Sequence, residues 1–358
     1  MTRLTQLHIE RFRHFETVDI EPGDGINLIS GANGSGKTSL LEAIHTLSLG
    51  RSFRGSQPTE LIRHGNDDLL IRAGVEETAA GTREHRLALQ RDRKGLSLRL
   101  DGENATRLSE LARLLPVLAL HPQSDDLVLG SPDHRRRFID RIGFYVRPDF
   151  FDLHRDFLRA LRQRNALLKR GRREPSWDEL FLRTADRLER ARREVLDHLT
   201  EASQQLMPEL FPNGRISLDY LPGYRRETDL ATALAQGAER EAQMQSTLVG
   251  PHRADLRIRI DAMEARHVAS RGQIKMLVAL LHLAGLERMR TARGEPAVIL
   301  FDDLASELDR DNRRRVLDFL AESGHQAFVS VISPEALEDE DRLAAHFALA
   351  DGGARKMV

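Results

Sequence analysis

The chain has 358 residues, of which 40% are hydrophobic and 30% charged, and its formal net charge is −1. This length allows two or three structural units of roughly 100–200 residues, and the composition is typical of a soluble globular protein. The sequence has no cysteine, which excludes disulfides and thiolate-bound zinc and is compatible with the reducing cytosol, the predicted location. Charges interrupt residues 1–12, which argues against a signal peptide, and the most apolar run, 276–286, is too short to span a membrane.

Strand patterns dominate the first hundred residues, with one helix among them. Leu4, Leu7 and Ile9 are apolar in a polar segment, and residues 26–30 are a short apolar run that leads into glycine. Apolar residues then recur at helical spacing over 36–49. Three later segments alternate or run apolar with turn residues between them, which predicts an antiparallel sheet. These segments are 69–77, 84–90 and 96–100.

The middle of the chain is helical, and the end returns to alternating strands and helices. Apolar spacing predicts helices over 153–168 and 181–206, and residues 171–175 break the pattern between them. Two long amphipathic helices with a short break predict an antiparallel helical hairpin. After about residue 248 the predicted elements are a helix at 271–289, a strand at 297–301, a helix at 311–322 and a strand at 327–331.

Residues 31–38 match the pattern G-x-x-x-x-G-K-[ST] of a phosphate-binding loop. Glycines let successive backbone N–H groups turn towards the phosphates, and the following helix adds its positive N-terminal dipole. Lys37 is predicted to act catalytically by reaching the β- and γ-phosphates, and Thr38 to bind Mg²⁺. A plain glycine-rich turn is the alternative, but the flanking strand and helix argue against it. The predicted ATP-binding residues here are Gly31, Ala32, Asn33, Gly34, Ser35, Gly36, Lys37 and Thr38.

A second motif is the apolar strand 298–301 that ends in two acids, Asp302 and Asp303. This is the Walker B arrangement, in which a buried strand presents a carboxylate beside the phosphate loop. Asp302 is predicted to complete the Mg²⁺ shell with Thr38, and Asp303 to orient or deprotonate the attacking water. Without the phosphate loop, two acids after a strand would be explained equally well as a cap of the next helix.

A third motif, residues 270–273, lies just before a predicted helix and has the order Ser-Arg-Gly-Gln. A serine hydroxyl, a glycine and a helix N-terminus together offer donors to a phosphate, so Ser270, Gly272 and Gln273 are predicted ATP-binding residues. An ordinary helix cap explains the tetrapeptide about as well. The phosphate-binding interpretation is supported by the position of the motif before Asp302. In addition, residues 306–309 follow the Walker B strand at the distance of an ABC D-loop.

These motifs, in this order, resemble those of ABC ATPases, and the detail resembles the RecF family. The resemblance implies an ATP-gated homodimer whose ATP sites close between two protomers. It further implies slow, DNA-dependent ATP hydrolysis in recombinational repair at gapped DNA, with RecR, RecO and RecA as partners. The residues that carry the resemblance span nearly the whole chain: 9–13, 31–44, 130–132, 135–140, 163–168, 250–256, 270–273 and 302–309.

The sequence departs from the usual ABC pattern at the nucleotide sensors. Asp303 stands where most ABC proteins have glutamate, which predicts slow turnover if it is the base. A switch histidine is replaced by either Ser330 or Ser333, and Gln123 is the candidate for the Q-loop glutamine. His252, in the motif at 250–256, is interpreted as a structural histidine rather than a ligand.

A net charge of −1 predicts no general affinity for nucleic acid, so any DNA-binding surface must be local. Eight basic residues and one acid lie between 155 and 173, on the predicted hairpin. A solvated helix face explains this stretch about as well as a DNA-binding surface does. The candidate DNA-binding residues are Arg135, Arg136, Arg137, Lys169 and Arg170.

The sequence therefore predicts an α/β fold: an ABC-type P-loop ATPase head, with a mixed sheet, helices and an antiparallel β subdomain, and an inserted helical arm. The head is assigned to residues 1–130 and 248–358, and the arm to 131–247. An SMC-type structural ATPase is the nearest alternative, but its insertion would be far longer. A transporter subunit or a P-loop kinase leaves the basic hairpin or the motif at 270–273 unexplained.

Overall fold

The computed structural model describes residues 2–78, 81–212, 214–337, 342–350 and 352–357. Contacts divide the chain into two compact units, the first made of Met1–Ser124 and Lys275–Val358 and the second of Asp125–Ile274. Among the helices of these described ranges, none is long and apolar enough to cross a membrane.

The first unit contains two sheets. Its strands are β1 (Arg3–Phe12), β2 (Phe15–Ile20), β3 (Ile26–Ser30), β4 (Asp68–Glu77), β5 (Arg83–Asp92), β6 (Leu96–Leu100), β7 (Glu103–Asn104), β8 (Val117–Leu120), β12 (Val298–Phe301), β13 (Gln326–Val331), β14 (Leu343–Ala350) and β15 (Gly353–Lys356). One sheet is antiparallel in the order β2-β1-β4-β5-β6-β7, as the alternating sequence predicted. The other sheet is mixed, in the order β15-β14-β3-β13-β12-β8.

The mixed sheet determines where the functional loops lie. Its strands β3, β13, β12 and β8 are mutually parallel and almost wholly buried, so they are continuous apolar runs rather than alternating ones. The carboxyl ends of parallel strands meet at one edge of a sheet. The loops that follow β3 and β12 therefore emerge side by side, with the end of β13 between them.

Helices complete the first unit around these sheets. They are α1 (Lys37–Leu49), α2 (Leu108–Leu114), α11 (Leu304–Glu307), α12 (Arg310–Ser323) and the larger part of α10 (Arg271–Arg293). In α1, Leu40, Leu41, Ile44 and Leu47 are fully buried in a core shared with the antiparallel sheet. Full burial of such a side chain stabilises the fold by about 1.5–3 kcal/mol, so α1 is firmly anchored below the loop that precedes it.

The second unit is mainly helical. Its elements are α3 (Asp126–Leu129), α4 (Pro132–Val146), α5 (Phe150–Leu168), α6 (Pro175–Leu210), β9 (Ile216–Leu221), α7 (Leu230–Gln236), α8 (Ala238–Met244), β10 (Asp255–Ile260), β11 (Met263–Glu264), α9 (Ala265–Val268) and the first turn of α10. The predicted hairpin is confirmed: α5 and α6 pack together, with the rings of Phe157 and Phe181 centred 5.8 Å apart. Gly171, at φ 66°, forms the turn between them.

The structure also contains a feature that the sequence patterns did not predict. Strand β10 pairs antiparallel with β9 and with β11 in a three-stranded sheet, so residues 248–274 pack within the second unit. The predicted arm, 131–247, is thus shorter than the compact unit, which runs from 125 to 274. Where a boundary between independently folding domains lies stays a prediction.

Candidate nucleotide-binding site

The loop of residues 31–38 joins β3 to α1 and has a backbone that requires glycine. Gly36 is the N-cap of α1 with φ 110°, and a Cβ there would overlap the rings of His14 and Phe15. A Cβ on Gly31 would lie 2.6 Å from the carbonyl oxygen of Leu349. Ala32, Asn33 and Gly34 are exposed at the top of the loop. The loop is therefore packed against the protein at Gly31 and Gly36 and open to solvent at residues 32–34, which suits a loop that binds phosphate.

Lys37, the first residue of α1, folds back over this loop. Its ammonium donates hydrogen bonds to the carbonyl oxygens of Gly31 at 2.6 Å and Ala32 at 2.9 Å. Burial lowers the pKa of Lys37, and the neighbouring carboxylates of Asp303 and Asp302 oppose that shift. A charged donor that is partly desolvated interacts more strongly with a polyphosphate than it would in water.

Asp302 follows β12 and meets Thr38, as the sequence predicted. The Thr38 hydroxyl donates to both carboxylate oxygens of Asp302, at 2.9 and 3.0 Å. In the described part of the chain, no cluster of three or more His, Cys, Asp or Glu side chains could hold a metal without other ligands. Mg²⁺ needs no such cluster, because it keeps waters and takes phosphate oxygens beside one or two protein oxygens. Thr38 and Asp302 fit that requirement.

Asp303 lies directly beside this pair, in a left-handed backbone conformation with φ 59°. Its backbone N–H donates to the Ser330 hydroxyl at 2.8 Å, which fixes the start of α11. Its Oδ1 is buried and has no hydrogen-bond partner among the described residues, and the same holds for the Ser35 hydroxyl. Buried oxygens without partners are rare, so these two mark space for a ligand or a water molecule.

The structure distinguishes between the two candidate serines at the switch position. The Ser330 hydroxyl, at the end of β13, donates to Asp302 at 2.9 Å and so bridges both acids. Ser333 is exposed. Gln123 is also exposed, and its side chain contacts only His121 among the contacts that the structure gives for it, at 2.9 Å. The sensor role of each residue stays a prediction.

Two residues at the site were missed by sequence reasoning. The exposed ring of His14 donates from Nε2 to the carbonyl oxygen of Ser35 at 3.3 Å. The neighbouring Arg13 makes a bidentate ion pair with Glu42 of α1, at 2.8 and 2.7 Å, and Glu42 is fully buried. The segment 9–13 was among those that carry the family resemblance, but it gave Arg13 no role, because the contact joins residues 29 positions apart.

The motif at 270–273 lies on the surface of the second unit and begins α10. The Ser270 hydroxyl accepts from the backbone N–H of Gln273 at 3.2 Å, and the Gln273 side chain accepts from the N–H of Ser270 at 2.8 Å. This reciprocal pair is a capping box, so the helix-cap interpretation is supported. Ser270 and Gly272 are nevertheless exposed, and a Cβ on Gly272 would meet nothing within 4 Å. A role in binding phosphate stays a prediction.

The candidate DNA-binding residues have very different environments. Arg135 is 4% exposed and its guanidinium is bonded to Asp255 at 2.6 and 3.2 Å, so its assignment to a DNA surface is corrected to a structural one. Arg136 is partly buried and donates to the carbonyl of Ala254 and to Asp133. Arg137, Lys169 and Arg170 are exposed and remain candidates. Of the basic residues between 155 and 173, Arg164 is not available to a DNA surface, because it is buried in ion pairs.

Among the described residues, one nitrogen of the His252 ring makes a hydrogen bond and the other makes none. Its Nε2 donates to the carbonyl oxygen of Thr247 at 2.9 Å, in line with the structural interpretation. Its Nδ1 is buried without a partner in the described residues. Burial lowers the pKa of His252 to about 4, and nearby arginines add to that effect.

Comparisons with known proteins agree with this geometry. The family model described as "RecF/RecN/SMC N terminal domain" matches residues 3–353. A "DNA replication and repair protein RecF" from Shewanella pealeana is 37% identical over 340 residues, which are 94% of each chain, and one from Aliivibrio salmonicida is 38% identical with the same coverage.

Solved structures place the fold in the same group. The structure of "the recombination mediator protein RecF-ATP in RecFOR pathway" has a TM-score of 0.88 and 26% identity, covering 100% of this chain and 98% of that one. An Smc head domain from Pyrococcus furiosus has a TM-score of 0.62 at 19% identity, which shows a shared fold only. The predicted ABC-type ATPase head is therefore confirmed, and the chain belongs to the RecF family of DNA replication and repair proteins.

Proposed function

We propose that this chain is a repair ATPase that binds ATP and Mg²⁺, dimerises on ATP at gapped DNA and hydrolyses ATP slowly. The observation that carries the proposal is the convergence of Lys37, Thr38, Asp302, Asp303 and Ser330 around an open phosphate loop. The family supports ATP binding and hydrolysis, and the solved RecF-ATP complex describes a relative with its nucleotide.

Each residue of the site is assigned a different role in ATP hydrolysis. The N–H groups of residues 31–38 and the Lys37 ammonium hold the β- and γ-phosphates, in exchange for the hydrogen bonds that Lys37 makes to the loop. Thr38 and Asp302 would hold Mg²⁺, which would supply positive charge to the phosphate oxygens when bound. The free Oδ1 of Asp303 orients the attacking water and accepts its proton. Replacing Asp303 with Asn should preserve ATP binding and slow hydrolysis.

The proposed dimerisation is based on the exposed motif at residues 270–273, which we call the signature. Ser270, Gly272 and Gln273 offer a hydroxyl, an open backbone and a helix N-terminus at the surface of the second unit. We infer that these groups bind the γ-phosphate of an ATP held by a second protomer. ATP then acts as part of the interface, so the dimer forms only when nucleotide is bound.

DNA binding and the repair partners complete the proposal. Arg137, Lys169 and Arg170 are the exposed cations assigned to DNA phosphates. RecR and RecO are proposed as partners from the pathway that the solved relative is named for, and RecA loading from the family resemblance. The cytoplasm is the proposed location. An SMC-type structural role is less favoured, because the 36-residue helix α6 is far shorter than an SMC coiled coil.

Sedimentation velocity with ATP, with and without gapped DNA, tests the proposal. We expect a monomer without nucleotide, a dimer with ATP, and a stronger dimer when DNA is present. Ser270→Arg should abolish the dimer while the ATP affinity of the monomer stays unchanged. Ser217→Arg, on the exposed side of β9, is the matched control and should behave as wild type. A Ser270→Arg variant that loses ATP affinity and dimerisation equally would contradict a shared site.

A further inference from the structure

Residues 247–255 form a segment that is held in place largely by side chains, beside main-chain contacts such as that from the Gly250 N–H to the Gly223 carbonyl oxygen at 3.4 Å. Apart from a single 3-10 turn at Pro251–Arg253 and the first residue of β10, this clasped segment has no regular secondary structure. Each of the three long helices of the second unit, α4, α5 and α6, sends at least one arginine to it. These are Arg135 and Arg136 from α4, Arg164 from α5 and Arg192 from α6.

The first end of the clasped segment is fixed at Thr247. Arg164 donates to the Thr247 hydroxyl at 2.7 Å, and that hydroxyl donates to the side-chain carbonyl of Asn165, also at 2.7 Å. The Thr247 backbone N–H donates to the same Asn165 oxygen at 2.8 Å. Glu241 of α8 pairs with Arg164 at 2.6 Å and accepts from the N–H of Leu248 at 2.8 Å.

The other end is fixed at Pro251 and Asp255. Arg192 donates to the carbonyl oxygen of Pro251 at 2.7 Å and pairs with Asp140 at 2.7 and 2.8 Å. Arg135 pairs with Asp255, the first residue of β10. Arg135, Arg164 and Arg192 are 2–4% exposed, and each is matched by at least one carboxylate. Buried ion pairs contribute little net stability compared with apolar packing, so their chief effect here is to specify one position of the segment.

The clasped segment leads directly to the signature. From Asp255 the chain continues through β10, β11 and α9 to Ser270, all within the second unit. Strand β10 packs on α4, and α9 packs on β10 and on α3. A shift of the clasped segment would therefore be passed on to the exposed N-terminus of α10.

A chain of charged contacts also connects the clasped segment to the surface of the hairpin turn, residues 169–174. Arg173, whose side chain is 42% exposed, donates to Asp178 at 2.7 Å. The other oxygen of Asp178 accepts from Arg164 at 2.7 Å, and Arg164 binds Thr247. An anion at the turn competes with Asp178 for Arg173, and it thereby changes the charge balance around Arg164.

We propose that this turn senses DNA phosphate and that the contacts Arg173–Asp178–Arg164–Thr247 transmit its presence to the signature. DNA bound at the turn then alters how the signature binds ATP on a second protomer. Arg173 is a sensor and Asp178 and Arg164 are positioning residues, since they act through the clasped segment and not on the nucleotide. The inference rests on the proposed function and adds the route of its regulation.

The test compares Arg173→Gln with Arg172→Gln in the full chain, with gapped DNA as the probe. Arg172 lies on the same turn and carries the same charge, but its ion pair is with Glu174 at 3.6 Å and not with Asp178. We expect both variants to lose a similar fraction of DNA affinity and to keep wild-type ATP affinity and basal hydrolysis. At saturating DNA, Arg172→Gln should retain DNA stimulation of dimerisation and hydrolysis, and Arg173→Gln should lose it.

A second measurement follows the clasped segment itself. Amide hydrogen exchange at Thr247 and Leu248 should change when DNA binds wild type and Arg172→Gln, but not when it binds Arg173→Gln. If the two variants behave alike at saturating DNA, or if DNA does not stimulate the wild-type dimer, the relay is wrong. If wild type forms no dimer with ATP, the proposed function itself fails, which separates the two outcomes.

Discussion

The nucleotide site and the clasped segment both collect charged side chains, but they differ in how fully those charges are satisfied. Within the part of the chain that the structure describes, the Oδ1 of Asp303 and the hydroxyl of Ser35 at the nucleotide site are buried without hydrogen-bond partners, and the Lys37 ammonium donates to carbonyls of its own loop. Around residues 247–255 the buried guanidiniums of Arg164 and Arg192 each meet a carboxylate and a main-chain or hydroxyl oxygen of the segment.

This difference separates a ligand site from an internal scaffold. Polar groups that the protein leaves unsatisfied need a partner from outside, whereas guanidiniums that are already paired, such as those of Arg164 and Arg192, do not. The same rule explains why Arg135 was wrongly grouped with the DNA-binding residues. Its sequence neighbours in the run 135–137 are basic, but the run lies on a helix, so its members point in different directions and only Arg137 is largely exposed.

The largest expected effect is a loss of stability when one arginine is removed from the buried ion pairs around residues 247–255. Arg164→Ala leaves the buried Glu241 without its ion-pair partner and Asp178 with Arg173 alone, and breaking a buried pair in this way costs about 3–5 kcal/mol of unfolding free energy. Urea unfolding at pH 7 measures the loss. Arg190→Ala, which breaks an exposed pair on α6, is the control and should cost less than about 1 kcal/mol. If both variants lost the same unfolding free energy, the buried ion pairs around residues 247–255 would be no more important for stability than an exposed pair.

At the nucleotide site we expect a substitution to reduce ATP hydrolysis strongly and to change the unfolding free energy little. Lys37→Ala or Lys37→Met should reduce ATP hydrolysis by about 10²–10³-fold, as removal of one preorganised charge stabiliser does elsewhere. The unfolding free energy should stay near the wild-type value. The described hydrogen bonds of Lys37 go to carbonyl oxygens of its own loop, and water can replace the ammonium as their donor. A steady-state phosphate-release assay and urea unfolding measure the two quantities. Lys94→Ala, in an exposed turn, serves as the control, and normal hydrolysis by Lys37→Ala would show the loop assignment to be wrong.

His252 makes the scaffold sensitive to acid. Its pKa is lowered from 6.5 to about 4 in the folded chain, so the unfolded chain binds more protons between these values. The unfolding free energy therefore falls as the pH is lowered from 7 to 5, and the contribution of His252 is about 2 kcal/mol. Urea unfolding at both pH values should show a smaller difference for His252→Gln. His198→Gln, an exposed change on α6, should leave the wild-type difference intact.

The smallest effect concerns the exposed cations of the hairpin. If Lys169 and Arg170 contact DNA phosphates, each change to Gln should flatten the slope of log K against log salt by about 0.9 on duplex DNA. Binding should weaken alike on all sequences, because phosphate contacts carry no base information. Fluorescence anisotropy at several salt concentrations gives the slope. Arg190→Gln is the control, and a wild-type slope in both hairpin variants would leave the turn as a merely solvated surface.

The nucleotide site was predictable because its signals are local. The phosphate-loop pattern spans eight consecutive residues, and Asp302 follows the strand it belongs to, so spacing alone predicted that the two would lie together, as they do. The clasped segment was not predictable, since its contacts join residues far apart: Arg164 and Thr247 are 83 positions apart and Arg135 and Asp255 are 120. Hydrophobic periodicity likewise predicted α5 and α6 but could not show that β9 pairs with β10, because pairing depends on contacts between distant strands.

The left-handed backbone at Asp303 restricts which acids this position tolerates. Aspartate and asparagine adopt that conformation more readily than other residues with a side chain, because their short polar groups bond locally. Glutamate has no such advantage and would place its carboxylate one methylene further from the backbone N–H that Ser330 fixes. An Asp303→Glu change would therefore not convert this chain into a faster ATPase of the usual ABC type. The left-handed main chain at this position therefore limits what a change of the Asp303 side chain can do to ATP hydrolysis.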